Sequence, residues 1–573
     1  MEILKGLPVS QGISIATAWL YIPKTPAVES RTVSSSQVKY EIAAFRAAQE
    51  EVEAHQRRIY EKTLKRLGEK NAEIFAAHIE MLRDEEFEKD VLNLIEKRRY
   101  TAMRAVKEYL DEAAAIMRNL PDPFLRERAG EFQDLQTNLL LAISHLPFTS
   151  LAKAPKDSLV IAHDLTPSET ALIETRHIKG IVLSAGGLTG HVAILARNSG
   201  IPSVMGVPDV LAKVKNGDTV IIDGGQGEVI IDPDEETLNT YRAKKAEEEK
   251  LQQEYRELHG TPAETVDGQR VNLYSNIASP SDLYLVEENG SEGIGLFRSE
   301  FLFMKSSVEP GEEEQFDAYR KVLINMGERP VILRLADIGG DKNLPYIDIE
   351  KEANPFLGCR GVRLYKKYRD IFETQICAAL RAAVSGNLRL MIPMVTSVEE
   401  VLFVREEVMR QAARLKRLGK NHNANIPIGV MIETPAAALI APQLAKVSSF
   451  FSIGSNDLTQ YVLAVDRSNI ALSDMYDNLH PAVLRCIKLA VDAAKKEKIE
   501  VGVCGEIAGQ MTAVPLLVGM GIDELSISGK RVGAVKRLIR GLDAAKCRGV
   551  LGQVLELDNG KLVRELIKQE FSL

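Results

Sequence analysis

From about residue 268 the chain repeats one pattern eight times, a short apolar run followed by a helical stretch or a long connection. The runs are VNLYSNI, GIGLFRSEF, PVILRLADI, LRLMIPMV, IPIGVMIET, FFSIGSND, EVGVCGE and ELSIS. Helical spacing fills connections such as IFETQICAALRAAVSG and VEEVLFVREEVMRQAARLKRLG. Eight strand–helix units over roughly 300 residues predict a (β/α)8 TIM barrel with enlarged loops.

A barrel of this kind places its chemistry where the strands run out at their C-terminal ends. Arg298 ends the second run, and Arg334 lies in the third, ahead of a GGDK loop with Asp341 and Lys342. Glu433 ends the fifth, Asn456 and Asp457 the sixth, and Cys504 with Glu506 the seventh. Arg360 and Arg467 fall in the loops NPFLGCR and AVDR. Arginine grips phosphate and carboxylate through its planar fork. Magnesium takes one or two carboxylates and completes its octahedron with water and substrate oxygens. The set therefore points to an anionic, phosphate-bearing substrate and a hard divalent cation held by Glu433 and Asp457. For any one of these residues a structural ion pair at the barrel mouth is an equal explanation; for the whole set it is a poor one. Cys504, inside VGVCGE, reads by itself as a small core hydrophobe.

The first half has a different texture. Residues 1–20 are short, alternating and punctuated by Gly and Pro, which reads as β. Residues 34–145 are helical, with three-and-four apolar spacing in VKYEIAAFRAAQEEVEAHQRRIYEKTLKRLG, NAEIFAAHIEMLRDEEFEKDVLNLIEKRR and YTAMRAVKEYLDEAAAIMRNL. Their charged outer faces suit either solvation or docking of a partner. Residues 155–232 return to strands: SLVIAHDL, GIVLSAGG, TVIIDGG and GEVIIDP. The economical arrangement is one α/β domain, 1–33 and 146–232, interrupted by a helical bundle at 34–145. The segment 235–259 has almost no apolar face, as a helix spanning between domains would. It is read as a connector within 233–260, leaving 261–573 to the barrel.

Within the α/β domain, GGLTGHVAILAR (186–197) places a histidine behind a glycine turn. Gly186 and Gly187 allow backbone angles closed to other residues and close approach to an anion. Thr189 can cap a helix starting at or just before His191, with Val192, Ala193, Leu195 and Ala196 packing below. A helix N-terminus disfavours imidazolium and welcomes phosphate, so a neutral His191 there would be a nucleophile awaiting a phosphoryl donor. The alternative is that His191 merely opens a core helix. The twelve residues leave both open.

The net charge of −8 argues against general binding to nucleic acid or an anionic membrane surface, and leaves room for a basic protein partner. No apolar run approaches a membrane span, and MEILKGLPVSQG lacks the features of a secretory signal. The five cysteines are scattered and never in a C-x-x-C pair, so a disulfide framework or zinc site is not expected and a reducing cytoplasm is.

GGLTGHVAILAR, FRSEFLFM, DIGGDK, NPFLGCR, GVMIETPAA, FFSIGSNDLTQY, AVDR and VCGEIAG, in this order, closely resemble the Enzyme I family of the bacterial sugar phosphotransferase system, the phosphoenolpyruvate–protein phosphotransferases. The resemblance runs nearly end to end. It implies that His191 is the phosphorylated histidine. Arg298, Arg334, Asn456, Asp457 and Arg467, joined by Arg360, would bind phosphoenolpyruvate. Glu433 and Asp457 would hold Mg2+, and Cys504 would donate a proton to the enolpyruvate product. It implies further that the His191 domain swivels, that the helical insert docks the small carrier protein HPr, and that the barrel forms a homodimer.

The chain departs from the family pattern at four places. Gly190 replaces a small polar residue before the histidine, Leu335 a threonine, Gln510 an aspartate, and Gln133 an arginine in the docking region. The last two-sided expectation is an intact phosphoenolpyruvate half with an altered carrier preference. Two other readings compete. A phosphoenolpyruvate synthase or pyruvate phosphate dikinase relative would add an ATP-binding domain, for which 34–145 is too short and too plainly helical. A non-catalytic regulatory relative would tend to lose groups that are all present here.

Overall fold

The computed structural model describes every residue except 23–25, 68, 120–128, 149–150, 152–153, 167–168, 171–176, 188–190, 305–307, 341–343, 345 and 348–351. The chain divides into two compact units, Met1–Lys250 and Leu251–Leu573.

The first unit is built on an eight-stranded sheet whose strands come from both ends of its sequence. β1 (Glu2–Lys5), β2 (Leu7–Ser10) and β3 (Ile13–Tyr21) join β4 (Ser158–Ala162), β5 (Ile178–Leu183), β6 (Ser203–Met205), β7 (Thr219–Asp223) and β8 (Glu228–Ile231). The order is β1-β8-β7-β3-β4-β5-β6-β2, with the run β3 to β6 parallel and the other pairs antiparallel. Alternate residues of the middle strands feed separate cores: Val160 and Ala162 one, Leu159 and Ile161 the other. Both faces are covered, which is why these strands read as unbroken apolar runs.

The helices between β3 and β4 pack on their own core around Phe45, Val91, Leu110 and Leu139. Where the sequence suggested one helix from Asn71 to Arg99, the structure has two, Glu69–Leu82 and Glu85–Arg98. Asp84 breaks them, its side chain accepting from the Glu86 N–H at the new N-terminus. The helix Ala129–Ile143 falls within the stretch 34–145 read as helical, outside its three spaced runs, while the three-residue strand β6 escaped the pattern altogether. The segment read as a connector is a single helix, Glu235–Glu257, in which Tyr241 is the one buried residue.

The second unit is a closed barrel of eight parallel strands: β9 (Asn272–Ile277), β10 (Gly293–Arg298), β11 (Val331–Arg334), β12 (Leu388–Ile392), β13 (Ile428–Ile432), β14 (Phe450–Ile453), β15 (Glu500–Val503) and β16 (Glu524–Ile527). All eight coincide with the eight apolar runs. Leu296, Ile332, Met391, Met431, Phe450 and Cys504 pack together as a separate interior cluster, while the larger core lies between strands and outer helices. Among the described residues no helix is long and apolar enough to cross a membrane.

Candidate functional site

A cavity of about 310 Å3 opens at the C-terminal ends of the barrel strands. Eight of the nine site residues expected from sequence line it: Arg298, Arg334, Arg360, Glu433, Asn456, Asp457, Arg467 and Cys504. Arg298 and Arg334 close strands β10 and β11, and Glu433 follows β13 directly. Asn456 and Asp457 lie one step further on than the sequence reading had them, in the first turn of the helix Ser455–Leu463. Cys504 follows β15 directly, whereas Glu506 opens a short 3-10 turn and is exposed.

The floor of the cavity is a cross-wired ion network. Arg360, only 1 % exposed, forms a two-pronged bond to Asp337 at 2.9 and 2.8 Å and reaches Asp457 at 3.0 Å. Arg334, 6 % exposed, donates to Glu300 at 2.6 Å and lies 3.4 Å from Asp337. Glu300 in turn accepts from the Asp337 N–H at 3.1 Å. Tyr461 bonds the Phe356 carbonyl at 2.5 Å, tying the helix Ser455–Leu463 to the loop that carries Arg360. Buried guanidinium–carboxylate forks resist rotation and hold their remaining N–H groups in fixed directions.

The rim is wired differently. Arg298 and Arg467 are exposed, and Arg467 approaches Asp457 only to 3.8 Å. Arg298 touches solvent in the mouth, yet protein crowds it on most sides. That crowding and the nearby Arg334 cation lower its pKa. Two cations facing each other across a cavity mark a place where an anion is welcome.

Glu433 is 1 % exposed and accepts the Met394 N–H at 2.6 Å. Met394 does this from left-handed backbone, with φ at +58°. Burial, then the charges of Asp457 and Asp337, push the Glu433 carboxyl up to about 8. Two hard oxygen donors that repel one another across one cavity fit a divalent cation, whose charge would relieve both. No group of three or more metal-type side chains occurs among the described residues, so water or substrate oxygens would complete such a shell. Cys504 is buried, with its thiol 3.7 Å from the Ile453 carbonyl. Burial raises its pKa to about 12, against a smaller opposing effect of the Ser452 hydroxyl. It is therefore a thiol, able to give up a proton only to a strong base.

The ninth residue, His191, belongs to the first unit, where it is the first residue of the helix His191–Asn198. Val192, Ala193 and Ala196 are buried below it and Leu195 partly so, as the spacing predicted. Gly186 adopts φ +95°, a conformation that glycine allows at little cost. Thr189 and Gly190 lie outside the described residues, as do Asp341 and Lys342. Of the other departures, Leu335 is fully buried directly after Arg334, Gln510 closes the turn Glu506–Gly509, and Gln133 is exposed on the helix Ala129–Ile143.

Sequence reasoning passed over Glu300 and Asp337, which orient the two floor arginines. Each lies two or three residues beyond a strand-ending arginine, inside FRSEF and RLADI. Position was thus the available signal.

Three family profiles match the chain: the PEP-utilising enzyme N-terminal domain over residues 5–128, the mobile domain over 154–227, and the PEP-binding domain over 252–544. Full-length relatives carry the name phosphoenolpyruvate-protein phosphotransferase. That of Listeria innocua is 39% identical over 566 residues, 99% of both chains. The one from Priestia megaterium is 39% identical over 574 residues, 100% of this chain and 99% of the relative. The Haemophilus influenzae protein is 37% identical over 567 residues, again 99% of each. With a profile match over half its length and end-to-end relatives, the chain belongs to the PEP-utilising enzymes, in the family of the phosphoenolpyruvate–protein phosphotransferases.

Proposed function

We propose that this chain moves the phosphoryl group of phosphoenolpyruvate onto its own His191 and then onto a histidine of the carrier protein HPr, releasing pyruvate. The observation that carries the reading is the barrel-mouth cavity, where four arginines, four carboxylates and a thiol meet. Phosphoenolpyruvate offers a phosphate and a carboxylate for those arginines, with Asn456 available for a further polar contact.

His191 attacks phosphorus, and the bond from phosphorus to the enol oxygen breaks as the P–N bond forms. The electron pair passes to the enolate, whose C3 takes the Cys504 proton, leaving pyruvate and a thiolate. An enolate carbon is basic enough to take a proton from so weak an acid, while the phosphate oxygens are not. Arg334 and Arg360, held by their carboxylates, stabilise charge on the transferring group without reorganising. Glu433 and Asp457 would hold Mg2+, which when bound neutralises charge on the phosphoryl oxygens. Because His191 and the cavity lie in different units, transfer requires the two to meet, with the polar helix Glu235–Glu257 as the hinge element.

The helical segment 34–145 supplies the carrier-docking surface in this reading, and a cytoplasmic homodimer through the barrel accompanies it. Incubation with labelled phosphoenolpyruvate and Mg2+ tests the core of it. Acid-labile, base-stable label should appear on the wild type and be absent from His191→Ala. Equal labelling of both would overturn the reading.

A further inference from the structure

Glu524 is the first residue of β16, 7 % exposed, and its Oε1 has no hydrogen-bond partner. In the sheet, β9 stands between β16 and β10. A Cβ added to Gly295 of β10 would nevertheless collide with Glu524 Oε1, so the side chain reaches across the barrel interior. A Cβ on Gly502 of β15 would collide with Glu524 Oε2 in the same way. The two glycines leave room for this carboxyl, and Gly502 lies two residues before Cys504.

Beside this acid, and not hydrogen-bonded to it, a polar chain runs to the backbone of Cys504. Ser526 Oγ crowds the same point over Gly295 as Glu524 Oε1. Ser526 donates to Asn276 Oδ1 at 2.6 Å, and Asn276 Nδ2 donates to the carbonyls of Cys504 and Ser526, each at 3.2 Å. Ordinary barrel interiors are filled with branched aliphatic side chains. An acid here, without its full set of partners, costs stability and calls for a function.

We propose that Glu524 is a positioning residue for enolate protonation: its carboxyl, seated over Gly502 two residues before Cys504, sets by its charge state how readily the thiol releases its proton. The inference rests on Cys504 as proton donor. Burial holds the Glu524 carboxyl protonated up to about 8. While neutral, it leaves the interior able to accept the negative charge of a thiolate. Once ionised, it repels that charge and makes the thiol a poorer acid. The groups facing it are Tyr274 on β9, Arg389 on β12, Glu500 and Cys504 on and after β15, and Asp523 just before β16. Arg389 is bound to Glu500, so its charge is largely answered there.

The test is deuterium exchange into the methyl group of pyruvate, measured with Mg2+ from pH 6.5 to 9.5 (roughly the range around such a carboxyl), each variant scaled to its own value at neutral pH. Exchange needs the Cys504 thiolate as base at C3, and a thiol near 12 supplies more of it as pH rises. The wild type should therefore rise less steeply, falling about tenfold behind Glu524→Gln, which cannot ionise, on the alkaline limb. Glu524→Asp, which keeps an acid but draws it back, should shift the midpoint, and it carries the test if the Gln variant does not fold. An alkaline limb unchanged in both variants overturns the inference while leaving the proton-donor reading intact. Exchange equally present in Cys504→Ala overturns the proton-donor reading, and the inference with it.

Discussion

Floor and rim of the barrel cavity carry the same residue type in opposite conditions. Arg334 and Arg360 on the floor are buried and bound to Glu300, Asp337 and Asp457. Arg298 and Arg467 on the rim are exposed and weakly answered by carboxylates. Floor arginines are spent mostly on each other's surroundings, which fixes their geometry. Rim arginines keep their charge for whatever enters. One cavity thus separates preorganisation from capture.

That separation can be broken most forcefully at Arg360. Arg360→Met should cost about 3–5 kcal/mol of folding stability, because the buried Asp337 and Asp457 lose their hydrogen-bonded cation and keep only the longer contacts to Arg334 and Arg467. Denaturant unfolding measures it, and a loss near zero would place Arg360 with the rim. Arg298→Ala should do the reverse. Unfolding stability stays within about 0.5 kcal/mol of wild type, while kcat/KM for phosphoenolpyruvate falls on the order of 10²–10³-fold. A comparable drop in stability would erase the distinction.

The smallest effect sharpens it on the acid side. In the unfolded chain Glu433 ionises in the ordinary carboxylate range, but in the fold only at about 8. Between those values the native state holds the extra proton, so stability declines as pH rises through the window. Glu433→Gln should therefore stabilise the metal-free protein by about 1–2 kcal/mol at pH 8 and by less at pH 5. Denaturant midpoints at the two pH values check the sign; equal gains would show that the carboxyl ionises freely.

The barrel was readable from sequence because strands covered on both faces are apolar at every position, which no surface helix matches. Strand-end charges followed from the same periodicity. The bounds of the helix Ala129–Ile143 were blurred by its consecutive apolar run LLLAI, and β6 was hidden by its three-residue length. The floor network stayed hidden for a deeper reason. Arg360 meets Asp337 and Asp457 across 23 and 97 residues, and no local pattern records who meets whom once the barrel closes. Position along a strand announces that a charge reaches the mouth. Only the closed fold decides whether it is floor or rim.

Met394 shows what holding such a geometry costs. A methionine in left-handed backbone is strained by about 1 kcal/mol relative to glycine there, and its amide is what fixes Glu433. A glycine here would release that strain and keep the N–H, but with wider backbone freedom the amide would be aimed at the acid less of the time. The methionine's narrow torsion thus keeps one donor pointed at Glu433, a folding cost exchanged for a fixed direction beside the cavity.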